Sequence, residues 1–354
     1  MRVFTSPQEY IQGPNAFQSE LFRLNRLGNH VLIVTDSFVM KMLGNKIVHN
    51  LTVAKIKSEA ILVDENNPPE LLVNAQESVK KFGCQFIIAL GGGKAMDLGK
   101  MIANACELPI AILPTLAATD AATSRISVRY DEMGNFVRYD FYAQNPEIIL
   151  VDTTVILNAP AEMLLAGFAD GIATYIEARS IWQENGRNTM GASPTIAALS
   201  LAKSCHEVLI RDIKNAQKAQ AVGVINEAFE NVVEANILLS GLGFENGGLS
   251  LAHGFHNVVM GEKAMNVTGS HGQIVAVGVL LQLLAEERQS EYETHQKLFC
   301  HLALPTTLHE LNLNLSEEMN QYLAKRILLT RNAGNYISRQ VNVEKIMAAL
   351  IKLH

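Results

Sequence analysis

Phe86–Cys106 reads FIIALGGGKAMDLGKMIANAC. An apolar run stops at three glycines, and an apolar pattern with helical spacing follows. Glycine lets the backbone approach a phosphate closely, and a helix N-terminus offers unpaired N–H groups and the positive end of its dipole. The stretch is neither the GxxxxGK loop ending in Ser or Thr nor GxGxxG. Alone it reads equally as a phosphate cradle and as an ordinary tight turn. As a strand, a tight turn and a helix in succession, it is half of a strand–helix–strand unit.

The same rhythm extends to both sides. VLIVTD (31–36), AILVDE (60–65), IAILPT (110–115) and EIILVD (147–152) are compact apolar runs. Amphipathic segments such as PPELLVNAQESVKKFG (68–83) separate several of them. This alternation predicts a parallel sheet with helices on both faces. SRISVRYDEMGNFVRYDFY (124–142) departs from it: two alternating runs flank DEMGN, which predicts a hairpin. After Asn158 the texture changes. APAEMLLAGFADGIATYIEARSIW and SPTIAALSLAKSCHEVLI are long, rich in Ala and Leu, and helical in period. An α/β domain over 1–157 and an all-helical domain over 158–354 are therefore expected.

Of the 354 residues 48% are hydrophobic, enough for a sizeable core. A net charge of -6 and the lack of any Lys/Arg run argue against a nucleic-acid surface. Cys84, Cys106, Cys205 and Cys300 are scattered, with no CxxC pair, so neither a disulfide framework nor a thiolate zinc site is expected. The start, MRVFTSPQEY, lacks the apolar core of a signal peptide. The longest apolar run, Ile274 to Ala285, is interrupted by Gln282 and is too short to span a bilayer. A soluble, cytoplasmic protein without membrane partners is the expectation.

Two places carry chemistry beyond the glycine loop. Asp36 closes the first strong strand. A carboxylate there either accepts a hydrogen bond from a ribose 2′-hydroxyl and repels a 2′-phosphate, favouring NAD over NADP, or caps the following helix. LAHGFHNVVMGEKAMNVTGSHG (251–272) holds three of the ten histidines. His253 and His256 share a helix face, and His271 follows a polar break. Histidines so placed are either hydrogen-bonded core residues or metal ligands. With a carboxylate they would suit Zn²⁺ or Fe²⁺.

Several longer motifs decide between these readings. ALGGGKAMDLGK, PTLAATDAATSRISVRYDEMG, NPEIILVDT, APAEMLLAGFADGIATYIEAR, EANILLSGLGFENGGLSLAHGFHN and SHGQIVAVG occur in the order seen in bacterial glycerol dehydrogenases. The chain thus resembles those members of the metal-dependent, iron-type alcohol dehydrogenase superfamily over almost its whole length, fading after about residue 300. The resemblance implies an α/β N-terminal dinucleotide-binding domain and an all-α C-terminal domain, the dehydroquinate synthase-like architecture. It implies an NAD-dependent, metal-containing dehydrogenase of a small polyol or vicinal diol, working as a homo-oligomer.

The resemblance also implies residue roles. Asp170, His253 and His271 match the metal ligands, with His256 beside the active site as a proton relay. Some iron-type relatives carry a fourth, histidine ligand where Thr174 stands, so Zn²⁺ is expected, with Fe²⁺ as the other choice. Asp120 matches the residue that meets the polyol. Asp36 matches the contact to the adenine-side ribose. Gly93, Lys94, Ala95, Met96 and Asp97 match the phosphate loop, and Thr115, Leu116, Ala117 and Ala118 line the cofactor. Ser124, Ile126 and Tyr130 come from the hairpin strand, on one face by strand alternation.

Some positions depart from the family pattern. Gln273 and Ile274 replace an acid–base pair after the second histidine, Val258 replaces a glycine, and Arg125 and Arg129 stand where smaller residues are usual. The two arginines alternate with cofactor-facing positions and should point away, to a solvated or subunit face. These departures keep other readings open: a hydroxy-acid or polyol-phosphate dehydrogenase of the same superfamily, or a non-catalytic NAD-binding relative.

Overall fold

The computed structural model describes residues 1–63, 69–130, 136–262, 265–330 and 336–354, without the side chains of Pro69, Glu70, Tyr130 and Phe136. Its strands are β1 (Glu9–Gly13), β2 (His30–Thr35), β3 (Lys57–Leu62), β4 (Phe86–Gly91), β5 (Ile110–Pro114), β6 (Ile126–Tyr130), β7 (Phe136–Phe141) and β8 (Ile148–Asp152). Six form one sheet in the order β1-β8-β5-β4-β2-β3. Every pairing in that sheet is parallel.

β4, β5 and β8 are buried throughout, and β2 in all but its first residue, as expected of strands covered on both faces. The expected strands are present, with two differences. β3 begins three residues before the apolar run that announced it, at Lys57, and residues 64–65 of that run lie outside the described residues. β1 was not foreseen. It is a short, half-buried edge strand paired with β8, with no buried residue to mark it in the sequence. β6 and β7 pair antiparallel, while the DEMGN turn itself lies outside the described residues.

The order of the strands positions the nucleotide loop. β2 lies between β3 and β4, so the chain first builds outward from β2 and then restarts on its other side. In open α/β sheets such a switch point leaves a crevice at the carboxyl ends of the strands. Asp36 follows β2 there, and the glycines follow β4. Gly91 has φ 149°, and a β-carbon on it would sit 2.8 Å from that of Ala95. Farther along, a β-carbon on Gly99 would come 2.5 Å from that of Ala89, so the helix Gly93–Cys106 lies tight on β4.

The chain groups into two compact units. One comprises Ser6–Met163 and Lys214–Leu238; the other comprises Met1–Thr5, Leu164–Ile213 and Leu239–His354. The return of 214–238 to the α/β unit has a visible cause. Helix Glu227–Glu234 buries Phe229, Val232 and Val233, and Glu230 binds two strand ends. Its carboxylate accepts from Gln12 Nε2 at 2.6 Å and from Thr153 Oγ1 at 2.7 Å.

The other unit is helical. Helix His271–Ala285 is buried along nearly its whole length, as its all-round apolar sequence requires. Small residues let its neighbours close in. A β-carbon on Gly278 would come 2.5 Å from the Ala252 carbonyl oxygen, and one on Gly272 would overlap that of Ala166. Among the described residues no helix is long and apolar enough to cross a membrane.

Candidate active site

In the α/β unit a cavity of about 590 Å³ opens at the switch point. Asp36, Gly93, Lys94, Ala95, Thr115 and Leu116, all expected at a nucleotide, line it. Gly92 is extended and precedes the helix Gly93–Cys106, so the first N–H groups of that helix face the cavity unpaired by the helix itself. Of its two readings, Asp36 takes the capping role: its Oδ1 accepts from Val39 N at 2.8 Å, and the residue also lines the cavity.

Other expected contacts lie elsewhere. Met96 and Ala117 are fully buried and, with Ala118, are not in the cavity wall. Asp97 turns to the hairpin: its Oδ2 accepts from Val128 N at 3.2 Å, and its carbonyl accepts from Ser127 Oγ at 3.0 Å. Ser124 precedes β6, so strand alternation relates only Ile126 and Tyr130. Ile126 is buried, and the Tyr130 side chain lies outside the described ones. Arg125 also precedes β6, so alternation does not reach it. Arg129 pairs with Asp140 of β7 at 3.1 Å, and Arg125 donates to the Ala143 carbonyl at 3.4 Å. The wall also holds Phe38, Met42 and Lys46, which went unforeseen. The stretch after Asp36, SFVMKMLGNK, is mostly apolar, so nothing in it set apart Phe38 and Met42, which the fold leaves exposed.

In the helical unit, Asp170, His253 and His271 bring one donor atom each within 4.8 Å of one another. Asp170 is fully buried on helix Ala161–Gln183. His253 Nε2 lies 3.2 Å and His271 Nε2 3.1 Å from the same Asp170 Oδ1. The other oxygen, Oδ2, is buried with no hydrogen-bond partner among the described residues. Burial opposes ionisation of Asp170, but the adjacent His271 and His253 outweigh it and hold the carboxyl well below the usual range. A buried carboxylate with an oxygen left over, facing two imidazole nitrogens, fits a metal ion.

His256 does not join this group. Its Nε2 meets His271 Nδ1 at 3.0 Å and its Nδ1 meets Asn257 Oδ1 at 3.1 Å. Burial, then the neighbouring His271, pushes its pKa well below the usual value. Thr174 shares a 2.9 Å hydrogen bond with Ser240. Asp120 is buried in the α/β unit. The departures after His271 have structural partners. Gln273 Oε1 accepts from Ser270 N at 2.8 Å, at the start of the helix, and Ile274 is buried.

One residue escaped the sequence reading. Glu177, fully buried, lies on the helix of Asp170, two turns on. Its Oε2 is 2.6 Å from His253 Nδ1, and its Oε1 accepts from Ser250 N at 2.7 Å and His253 N at 3.0 Å. Burial disfavours charge on His253, but Glu177 and Asp170 more than offset this and raise its pKa.

Relatives match this arrangement over most of its length. The glycerol dehydrogenase of Citrobacter freundii is 36% identical over 317 residues, covering 88% of this chain and 86% of its own. Residues 7–153 match the family described as iron-containing alcohol dehydrogenase. The chain belongs to that family. Glycerol dehydrogenase 1 of Schizosaccharomyces pombe is 37% identical over 361 residues, covering 99% of this chain and 78% of its own. The crystal structure of glycerol dehydrogenase from Schizosaccharomyces pombe superposes with a TM-score of 0.92 at 34% identity, covering 100% of this chain and 90% of that one. The protein is thus an NAD-dependent alcohol dehydrogenase, similar throughout to glycerol dehydrogenases. NAD and a metal ion are consistent with this family.

Proposed function

We propose that the protein interconverts a vicinal diol or small polyol such as glycerol and its carbonyl product with NAD, using Zn²⁺ held by Asp170, His253 and His271. The observation that carries this reading is the convergence of both Nε2 atoms on Asp170 Oδ1, with Oδ2 buried and without a partner. Zn²⁺ is preferred to Fe²⁺ because Thr174, bonded to Ser240, leaves three protein donors. A homo-oligomer in the cytoplasm, with the nucleotide in 1–157 and the metal in 158–354, completes the reading.

When bound, the ion supplies Lewis acidity that lowers the pKa of a substrate hydroxyl, and NAD supplies the hydride acceptor. The chain's own groups do the rest. The N–H groups of Gly93, Lys94 and Ala95 hold the pyrophosphate at a helix N-terminus. Asp36 accepts from the ribose hydroxyl and repels a 2′-phosphate. Met96, Asp97, Ala117, Ala118, Ser124 and Ile126, which do not line the cavity, support that wall from behind or meet the nicotinamide end. Asp120 accepts from the second hydroxyl of the substrate. His256, 3.0 Å from His271 Nδ1, takes up the released proton.

A substrate panel with NAD tests this. A buried hydrogen bond to a charged group contributes about 1.5–3 kcal/mol, or roughly ten- to a hundredfold in selectivity. Glycerol and 1,2-propanediol should therefore outpace 1-propanol by that factor, and Asp120→Ala should erase most of the difference. Turnover of 1-propanol equal to that of the diols, or a 2-hydroxy acid faster than every diol, would refute the reading.

A further inference from the structure

Glu177 makes more contacts than a buried carboxylate needs for its own satisfaction. Helix Leu251–Gly261 starts at Ser250, whose side chain makes no cap. The early N–H groups are met from other helices. Gln282 Oε1 accepts from Ala252 N at 3.1 Å, and Glu177 Oε1 accepts from both Ser250 N and His253 N. A negative charge is favoured at a helix N-terminus. That leaves Oε2, an oxygen that only accepts, 2.6 Å from His253 Nδ1.

We propose that Glu177 is a positioning residue for the metal centre: it keeps the proton of His253 on Nδ1 and so leaves the Nε2 lone pair free beside Asp170. This rests on the reading of Asp170, His253 and His271 as metal ligands. One carboxylate thereby fixes both the backbone of the helix that carries His253 and the face of its ring.

Glu177→Gln is the discriminating variant, because it preserves shape and changes hydrogen-bond polarity. Two backbone N–H groups point at Glu177 Oε1, and His253 Nδ1 faces Oε2. A glutamine has one acceptor oxygen. If the oxygen stays on the two backbone groups, its NH₂ confronts His253 Nδ1 and drives the proton to Nε2. If the amide turns over, its NH₂ confronts the backbone groups.

The test is Zn²⁺ affinity of the purified full chain, by competition with a chromophoric chelator, beside the melting temperature of the metal-free protein. Expected is a fall in affinity of about 10- to 100-fold in Glu177→Gln, larger than any loss explained by its melting temperature. Unchanged affinity overturns the proposal. A second measurement avoids the variant altogether. Nitrogen-15 NMR of the Zn²⁺-loaded wild-type chain should show His253 protonated at Nδ1 and bound through Nε2; the reverse assignment overturns the proposal. If the wild-type chain takes up no Zn²⁺ at all, the ligand reading fails and carries this inference with it.

Discussion

Gly272 and Ala166 touch backbone to backbone: a β-carbon on Gly272 would occupy the place of the Ala166 carbonyl oxygen. Ala166 lies one turn before Asp170, and Gly272 follows His271. The contact therefore sets how closely the helices that carry Asp170 and His271 approach. Gly272→Ala must separate the two helices, since a carbonyl cannot swing aside as a side chain can. Overpacking of this kind costs about 1–3 kcal/mol. Denaturant unfolding should show that loss, and Zn²⁺ binding should weaken with it. A variant with wild-type stability and affinity would contradict the packing described.

The histidines should separate cleanly. Purified protein should carry one metal ion per chain, and chelation should abolish turnover. His253→Ala and Asp170→Asn should lose the ion. His256→Ala should keep it, because His256 Nε2 meets Nδ1 of His271 and not the His271 nitrogen that faces Asp170. Elemental analysis decides, and metal retained by His253→Ala would remove it from the ligand set.

The cap that Asp36 makes and the nucleotide selection proposed for it can be divided by one substitution. Asparagine caps helices as well as aspartate does, so Asp36→Asn should preserve the bond from Val39 N and the melting temperature. The lost charge no longer repels a 2′-phosphate. The ratio of kcat/KM for NADP to that for NAD should rise. Equal efficiency with both cofactors in the unmutated enzyme would show that Asp36 does not select.

A second histidine pair predicts acid sensitivity. His206 Nε2 and His295 Nε2 are 3.0 Å apart, and His295 Nδ1 is 2.8 Å from the Glu291 carbonyl. One proton fits between the rings. Burial, then His295, pushes His206 down to about 4, from an ordinary value of 6.5. The folded state thus keeps His206 neutral where the unfolded chain would take up a proton. Its contribution is complete above pH 6.5 and is lost as pH falls towards 4, by about 3 kcal/mol. His206→Gln should flatten the stability profile between those limits, whatever its stability at neutral pH. A profile as steep as wild type would assign the acid sensitivity elsewhere.

The sequence was most legible where burial was complete. β4, β5 and β8 are continuous apolar runs because both faces are covered, and such runs announce themselves. β1 and β3 lie at the edges, where half-exposed positions admit Tyr, Gln, Lys and Glu, and the pattern dissolves. Helix periodicity shows that Phe229, Val232 and Val233 share a buried face but not which partner covers it. Segment 214–238 therefore passed for part of the helical half. At the proposed metal centre, the motifs pointed to residues that the structure brings together. Glu177 did not stand out because a lone glutamate in a helix ordinarily faces water. Its seven-residue spacing from Asp170, two turns along one face, was the available signal.

The interleaving of the two units bears on how the chain is made. A ribosome delivers residues in order, and domains generally fold as they emerge. Here neither unit is a continuous segment. The α/β unit lacks the Glu230 partner of Gln12 and Thr153 until residues 214–238 have been delivered. Met1–Thr5, made before the strands of the sheet, belongs to the unit finished last, and Thr5 N waits for Asn246 Oδ1 at 2.7 Å. A fragment cut at residue 157 would hold every strand of the sheet but would lack the helix Glu227–Glu234 that Gln12 and Thr153 bind, so the unit is completed only once most of the polypeptide exists.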